Sequence, residues 1–515
     1  MKYPISKGSY VLLFCFFPFF LMGSPLTNAD IQSIFSELTV AVGDKSRTLP
    51  KVVVRQEKRF GASYKRSENT IFIEQTAIDI CNTLGEDAKS AVAFLLGHEL
   101  THYYQKHDWQ EAGFTTGFLT NAAIFQKHIH HEREADTYSA FITHLAGYNS
   151  IKILPELLDK IYQAYGLVGK ELRSYPTLAE RKAVANEVCK TVQGLIDIYQ
   201  VGNYLYALGK YEEALVSYEY LLKYVRYKEL YNNIGLCALY AALPATRRDF
   251  PFDYPLTLDT NVPLRAPSSF TKDELLQKAI YHFAEATTYD ASYFVSYLNL
   301  VCAYDLAGEF DKVDPLLRSL KKIAFQAEEQ QQLNLLEGIQ AFRRQQKEVA
   351  LDYFSRVATN PTFPKLADLA NTNLQIVQGQ KVQRKAGYQP PRLADKIDGI
   401  NLLFYENEAA DNFLLRDEPL HQQSVLIHSL KSSKIYLFKS NEQVTKIQFT
   451  KAPNARTSHN IGIGSSIRQI EVAYPNTEKR LVAHTNGVYL LLEAKGLLFN
   501  LDKQNRVLEW CVFIN

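Results

Sequence analysis

Cysteine is scarce in this 515-residue chain: six in all, none in a CxxC pair. Cys15 lies in an apolar N-terminal stretch, and Cys81, Cys189, Cys237, Cys302 and Cys511 form an odd set at wide spacings. No disulfide framework is expected, and buried thiols acting as small apolar side chains are the default. A basic block is missing as well: 57 Lys and Arg face 55 Asp and Glu, a net charge of +2, so nucleic acid is not an expected partner. Past the N-terminus no run reaches the roughly eighteen apolar residues of a membrane helix, so no stable span is expected after that segment is removed. Trp and Met are rare, two of each, against 32 Tyr and 29 Phe, a bias that suits helical-repeat packing without deciding it. The length allows about two to four domains.

The N-terminus reads as a targeting segment. Lys2 and Lys7 precede the apolar run Tyr10 to Met22, and small or polar residues follow through Ala29. This is the pattern of a secretory signal peptide over residues 1–29, cut after Gly23 or Ala29; the alternative is an uncleaved anchor. Phe14 before Cys15 makes that cysteine a poor lipid-attachment site.

The most informative stretch is His98-Glu99-Leu100-Thr101-His102, an HExxH pentad behind the apolar run Ala91–Gly97. On a helix, residues four apart share a face, so His98 and His102 can aim imidazole nitrogens at one ion. Glu99 sits beside them, placed for proton transfer rather than ligation. Catalytic zinc has three protein ligands as a rule, and the candidate third lies in His131-Glu132-Arg133-Glu134-Ala135-Asp136. There Glu132 completes a His-His-Glu set, Asp136 fixes the tautomer of a ligand histidine, and His128, four before Glu132, is a rival ligand. Solvated helix faces also produce HExxH; the apolar helix ahead and the carboxylates downstream favour metal.

Gly97-His98-Glu99-Leu100-Thr101-His102, then His107, then Glu132-x-Glu134-Ala135-Asp136, resembles the zinc peptidase family that includes HtpX, the Ste-type prenyl proteases, the mitochondrial OMA-type enzymes and the periplasmic BepA, over about residues 45 to 185. The resemblance implies an α+β zincin fold of the gluzincin type, one zinc ion on His98, His102 and Glu132, Glu99 as general base and acid, and His107 in a supporting role. It also implies a sheet edge that pairs with extended substrate, for which Thr70–Gln75 is the candidate strand; a covered edge is the alternative. Ser174-Tyr175-Pro176 through Arg181 is similar to the family's late motif, with Tyr175 where the family has histidine. Tyr175 is either an oxyanion donor or a packing residue, and Arg181 is expected to pair with an acidic group near the site. The small apolar stretch Gly113 to Ala123 is either a flap or a close helix contact.

From about residue 195 small and aromatic residues recur with the spacing of tetratricopeptide (TPR) repeats: Gly202, Gly209, Tyr211, Ala214 and Tyr218, then Gly235, Ala279, Phe283 and Ala286, Gly308 and Phe310, and Gly338, Ala350 and Phe354. A Pro-rich insertion, Pro244 to Ser269, interrupts the second unit. A plain helical bundle is the alternative. After a polar linker with Pro390-Pro391 the chain becomes β-patterned, with strands expected at 434–439, 445–450, 479–483, 488–494, 497–501 and 507–513 and one helix at 465–473. Gly462–Ser466 lacks the Lys and spacing of a phosphate loop.

The expected architecture is therefore multidomain: a zinc metallopeptidase domain over 30–190, an all-α TPR solenoid over 195–378, and a small C-terminal α+β module over 393–515. The expected function is a secreted zinc metalloendopeptidase, periplasmic and possibly associated with the outer membrane. It acts on protein or peptide substrates, with a protein partner on the concave face of the repeats and a possible part in envelope protein quality control. The competing expectation is a TPR assembly factor or chaperone whose peptidase activity is latent or minor.

Overall fold

The computed structural model describes residues 25–58, 61–106, 122–168, 177–246, 252–256, 271–380, 395–406, 410–418, 421–440, 443–484 and 487–514. Residues 1–24 and 381–394, and so most of the signal segment and the Pro390-Pro391 linker, lie outside them.

The first helix, α1 (Asn28–Val42), begins with a capping box: the Thr27 hydroxyl accepts from the Asp30 N–H, and Asp30 returns the bond to the Thr27 N–H. Thr27 to Ala29, expected ahead of a cut, thus form the cap and first turn of a folded helix. Three strands follow, β1 (Lys51–Arg55), β2 (Ala62–Lys65) and β3 (Thr70–Glu74), in the order β1-β3-β2. β3 pairs parallel to β1 and antiparallel to β2, so it is the central strand and not the edge the sequence suggested. Its residues Thr70–Glu74 are all buried, and its middle, Ile71-Phe72-Ile73, is apolar on both faces. The edges are β1 and β2, and the four residues of β2, Ala-Ser-Tyr-Lys, carry no strand signature.

Helices α2 (Gln75–Asn82), α3 (Ala88–Tyr104), α4 (Ala122–Leu145) and α5 (Ser150–Ala164) pack behind the sheet. α3 has no polar stripe; every residue from Ala91 to His102 is buried. Such a helix forms only in the middle of a core, and the polar groups it brings inside need partners there. Thr101 donates back to the Gly97 carbonyl at 2.8 Å.

α6 (Leu178–Ala207) is the longest helix and runs without a break through residues 190–195. Helices α7 (Tyr211–Leu221), α8 (Lys228–Thr246), α9 (Lys272–Tyr289), α10 (Phe294–Ala307), α11 (Phe310–Ile323), α12 (Ala327–Arg343), α13 (Lys347–Ala358) and α14 (Pro364–Val377) pack on their sequence neighbours, except that α11 and α12 make little contact with each other. In three of the pairs a glycine faces a ring across the gap. A Cβ on Gly202 would lie 2.8 Å from Tyr218, one on Gly235 2.7 Å from Phe283, and one on Gly338 2.6 Å from Phe354. These are the small and aromatic positions the periodicity selected. Phe310 is the exception: it is half exposed, under the Arg343 guanidinium.

The C-terminal part is one antiparallel sheet of eight strands, β4 (Asp411–Glu418), β5 (His421–Ser429), β6 (Ser433–Ser440), β7 (Gln443–Thr450), β8 (Arg480–His484), β9 (Gly487–Leu492), β10 (Leu497–Asp502) and β11 (Val507–Ile514), in the order 4-5-6-7-11-10-9-8. Sequence patterning gave six strands and missed β4 and β5, where Gln, Asp, Arg and Ser interrupt the apolar alternation. Both faces of the sheet are covered. Tyr436 and Phe438 face the core shared with the helices, while Ile435 and Leu437 join a separate core with Trp510, Phe499 and Ile470 of the short helix α15 (Ile467–Ala473).

The sheet is seated on α6. The Tyr204 ring meets Tyr436, Phe449 and Tyr489 at centroid distances of 5.8–6.4 Å. Asp197 accepts from Lys434 Nζ at 2.7 and 2.9 Å and from the Tyr436 hydroxyl at 3.0 Å. Asp197→Ala would leave that buried phenol without its acceptor. We expect a loss of about 2 kcal/mol in urea unfolding, most of it from the phenol because Lys434 is partly solvated. The metal content of the folded protein should be unchanged.

Candidate metal centre

α3 and α4 cross closely because Gly97 allows it: a Cβ there would lie 2.6 Å from the Ser139 hydroxyl oxygen. Ser139 donates to the Phe94 carbonyl at 2.7 Å, locking the crossing. One and two turns back along α4 from Ser139, Asp136 and Glu132 face the histidines of α3.

The groups converge tightly. His98 Nε2 and His102 Nε2 are 3.1 Å apart, His98 Nε2 is 3.4 Å from Glu132 Oε2, and His102 Nε2 is 3.5 Å from Glu132 Oε1. A tetrahedral ion with bonds of about 2.0–2.1 Å has ligand–ligand edges of about 3.3–3.4 Å, the spacing seen. Among the described residues this is the one group of three or more His, Cys, Asp or Glu able to hold a metal.

The chemistry of the set also calls for a cation. His98 Nδ1 lies 2.8 Å from Asp136 Oδ1; with the proton on Nδ1, Nε2 presents a lone pair. In that tautomer Nε2 faces a second imidazole nitrogen and a carboxylate oxygen, so either a proton or a metal cation has to sit among them. Burial disfavours the His98 imidazolium, yet the charges of Glu132 and Asp136 outweigh it and hold the ion-free group up at about 10. Glu132 is pushed up by burial but pulled well below the carboxylate range by the two histidines. The pocket is built for positive charge, and the residues fit zinc.

Arg181, at the start of α6, supports this arrangement. Its guanidinium reaches Asp136 Oδ2 at 3.0 Å and Oδ1 at 3.3 Å, which makes Asp136 the acidic partner expected for it. The pair holds the Asp136 carboxylate aimed at His98.

Glu99 stands apart from the ligands. Its Oε2 accepts the backbone N–H of Tyr64 at 2.8 Å, while Oε1 is buried with no hydrogen-bond partner. Burial raises its pKa to about 7 against the opposing pull of His98. A carboxylate in that range suits proton transfer near neutrality. Tyr64 was not singled out in the sequence, since a main-chain donor on a short polar strand leaves no trace in residue types. His107, Tyr175 and the side chain of His128 lie outside the described residues, as does most of Gly113 to Ala123.

Asp136→Asn should loosen the tautomer control without emptying the core. We expect a fall of about 10–100-fold in zinc affinity by competition with a chromogenic chelator. His102→Ala or Glu132→Ala should abolish stoichiometric zinc, measured by elemental analysis of the folded protein.

No curated protein matches the chain in sequence. Two solved structures of human IFIT1, as dimers with PPP-AAAA and with m7Gppp-AAAA, are 14% and 15% identical to it. They cover 56% and 60% of this chain and 69% of their own, with a TM-score of 0.27 in both, too low to carry an argument. No helix among the described residues is long and apolar enough to cross a membrane. Residues 25–155, 131 of the chain's 515, match the model for Peptidase family M48, a family of zinc metallopeptidases, and that stretch holds His98, Glu99, His102, Glu132 and Asp136.

Proposed function

We propose that the chain is an exported zinc-dependent endopeptidase that cuts extended segments of protein substrates. The observation that carries this reading is the His98, His102 and Glu132 triangle beside a buried, partnerless Glu99 oxygen. A zinc ion bound there would acidify a water and polarise the scissile carbonyl. Glu99 takes the water's proton on its free oxygen and returns it to the departing amine. Tyr64 N–H fixes the other oxygen, so the carboxylate cannot rotate away. His98 and His102 are held in register by one helix turn, and Asp136 with Arg181 fixes the tautomer of His98.

β2 gives the reading a place for substrate. Its Tyr64 N–H points outward from the sheet to Glu99, so the free edge of β2 runs beside the base. A peptide pairing with that edge passes its backbone next to Glu99. Recognition is then of main chain, which suits unfolded or misassembled envelope proteins as a substrate class. The paired helices α6–α14 serve as the TPR-type platform for a substrate or partner. Export to the periplasm is read from the N-terminal sequence alone, and of the two cuts the one after Gly23 leaves the Thr27 capping box intact.

Glu99→Gln should retain full zinc and lose about 10²–10⁴-fold in casein cleavage. Should wild type and Glu99→Gln be equally inactive while both hold zinc, the assembly-factor reading replaces this one. The acid limb of kcat/KM tests the base directly. Glu99 acts deprotonated, and a dication beside it pulls its pKa below the ion-free value of about 7. Activity should therefore fall as pH drops, with an apparent pKa at or below about 7, and a limb well above that would exclude Glu99 as the titrating group.

A further inference from the structure

The insertion between α8 and α9 places a stretch of irregular chain inside the helical array. Phe252, Asp253, Tyr254, Pro255 and Leu256 are all buried, the two aromatic rings at 1% and 2% exposure. Irregular chain is rarely buried this deeply, because its main-chain groups lose water without gaining ladder partners. Here a side chain supplies them. The Asn373 carboxamide on α14 accepts the Asp253 N–H at 2.9 Å and donates to the Asp253 carbonyl at 2.8 Å, pairing with the residue as a neighbouring strand would.

The flanking side chains enter two different pockets. The Phe252 ring stacks on Phe354 of α13 at 6.0 Å and meets Phe342 of α12 at 4.7 Å. The Tyr254 hydroxyl donates to Asp305 of α10 and lies 3.5 Å from Arg343 of α12. Asp305 does not depend on the tyrosine: Arg343 Nε is 2.6 Å away and Gln340 Nε2 donates at 2.7 Å. The charges at the bottom of the groove therefore remain paired when the segment leaves. One amide reads the main chain and two pockets read alternate side chains, the arrangement by which extended peptides are recognised.

We propose that the groove between α10, α12, α13 and α14 is a binding site for an extended aromatic–x–aromatic peptide, and that Phe252–Leu256 is a tethered occupant that closes it in the resting protein. This rests on the reading of α6–α14 as a platform for extended peptides, and not on the zinc site. A tethered segment competes at an effective concentration of about millimolar, so a free peptide of equal intrinsic affinity is held off until the segment is displaced.

The test uses the full chain and a fluorescein-labelled peptide copying residues 250–257. Phe252→Ser with Tyr254→Ser should bind the peptide at least tenfold tighter than wild type by anisotropy, and adding Asn373→Ala should remove the gain. A doubly substituted protein that keeps its helical circular dichroism and cooperative melt yet binds no better than wild type overturns the proposal. Should that variant fail to fold, hydrogen exchange of the wild type decides. Exchange of the Asp253 and Tyr254 amides at least tenfold faster than the amides of α12 supports an exchangeable occupant; exchange only together with α12 makes the segment fixed core and sinks it. Failure here with casein still cut by wild type leaves the peptidase reading standing.

Discussion

The contact of His98 Nδ1 with Asp136, at 2.8 Å, organises the N-terminal half of this molecule. It turns Nε2 toward a second imidazole and a carboxylate. Two imidazole nitrogens and the Glu132 carboxylate at 3.1–3.5 Å from one another require a cation, a proton or a metal ion, among them. The surrounding structure maintains that unfavourable assembly. Gly97 removes the methyl that would force α3 and α4 apart, the Ser139 bond holds their crossing, and Arg181 holds the Asp136 carboxylate in place. An apolar isostere at His98, His102 or Glu132 would ease the crowding of polar groups and lose the ion; the site keeps its polarity because the cation relieves what the fold imposes.

Arg181 also shows why the chain does not separate into independent pieces. It lies in the first turn of α6, whose middle and end carry Asp197 and Tyr204 under the eight-stranded sheet and Gly202 against Tyr218 of the helical pairs. One helix thus touches the metal centre, the helical array and the sheet. Thirty residues span about 45 Å, enough to join all three. A second tie is Asp290, after α9, which takes Lys228 and Lys45 at 2.9 and 3.0 Å and so fastens the second helical pair to the N-terminal region.

The site was more legible than the sheet that serves it. HExxH on an apolar helix and a carboxylate pair four apart are local patterns with fixed periodicity, and helix geometry brings each pair to one face wherever the helices go. The convergence of Glu132 on the two histidines is tertiary; the need for a third ligand suggested the link between the two patterns, and the family resemblance supported it. Strand order is tertiary too. β3 looked like an edge because it precedes the active-site helices in sequence, but its apolar middle, Ile71 to Ile73, is that of a strand covered on both faces, and the edge beside Glu99 is Ala62–Lys65, four residues long. Tyr64 acts through its backbone, so no reading of side-chain types finds it. In the repeats, glycine and aromatic positions stood out because close helix contacts need both, whereas the burial of Phe252–Leu256 in the same array left only a Pro-rich interruption in the pattern.

That interruption is balanced energetically in a way that suits exchange. Ordering five residues costs roughly 5–10 kcal/mol at about 1–2 per residue. Burying Phe252, Tyr254 and Leu256 returns roughly 5–9 kcal/mol at about 1.5–3 each. The two sums nearly cancel, so the residence of the segment is decided by smaller contributions: the paired bonds from Asn373, the Tyr254 bond to Asp305, and the tether that keeps the segment at hand. A core element of the kind formed by α3 has no such balance, since its helix bonds are made internally and its apolar area is several times larger. The segment is therefore held by a narrow margin, and a peptide with the same alternation of rings would meet a groove whose charges, Asp305 with Arg343 and Gln340, are already paired.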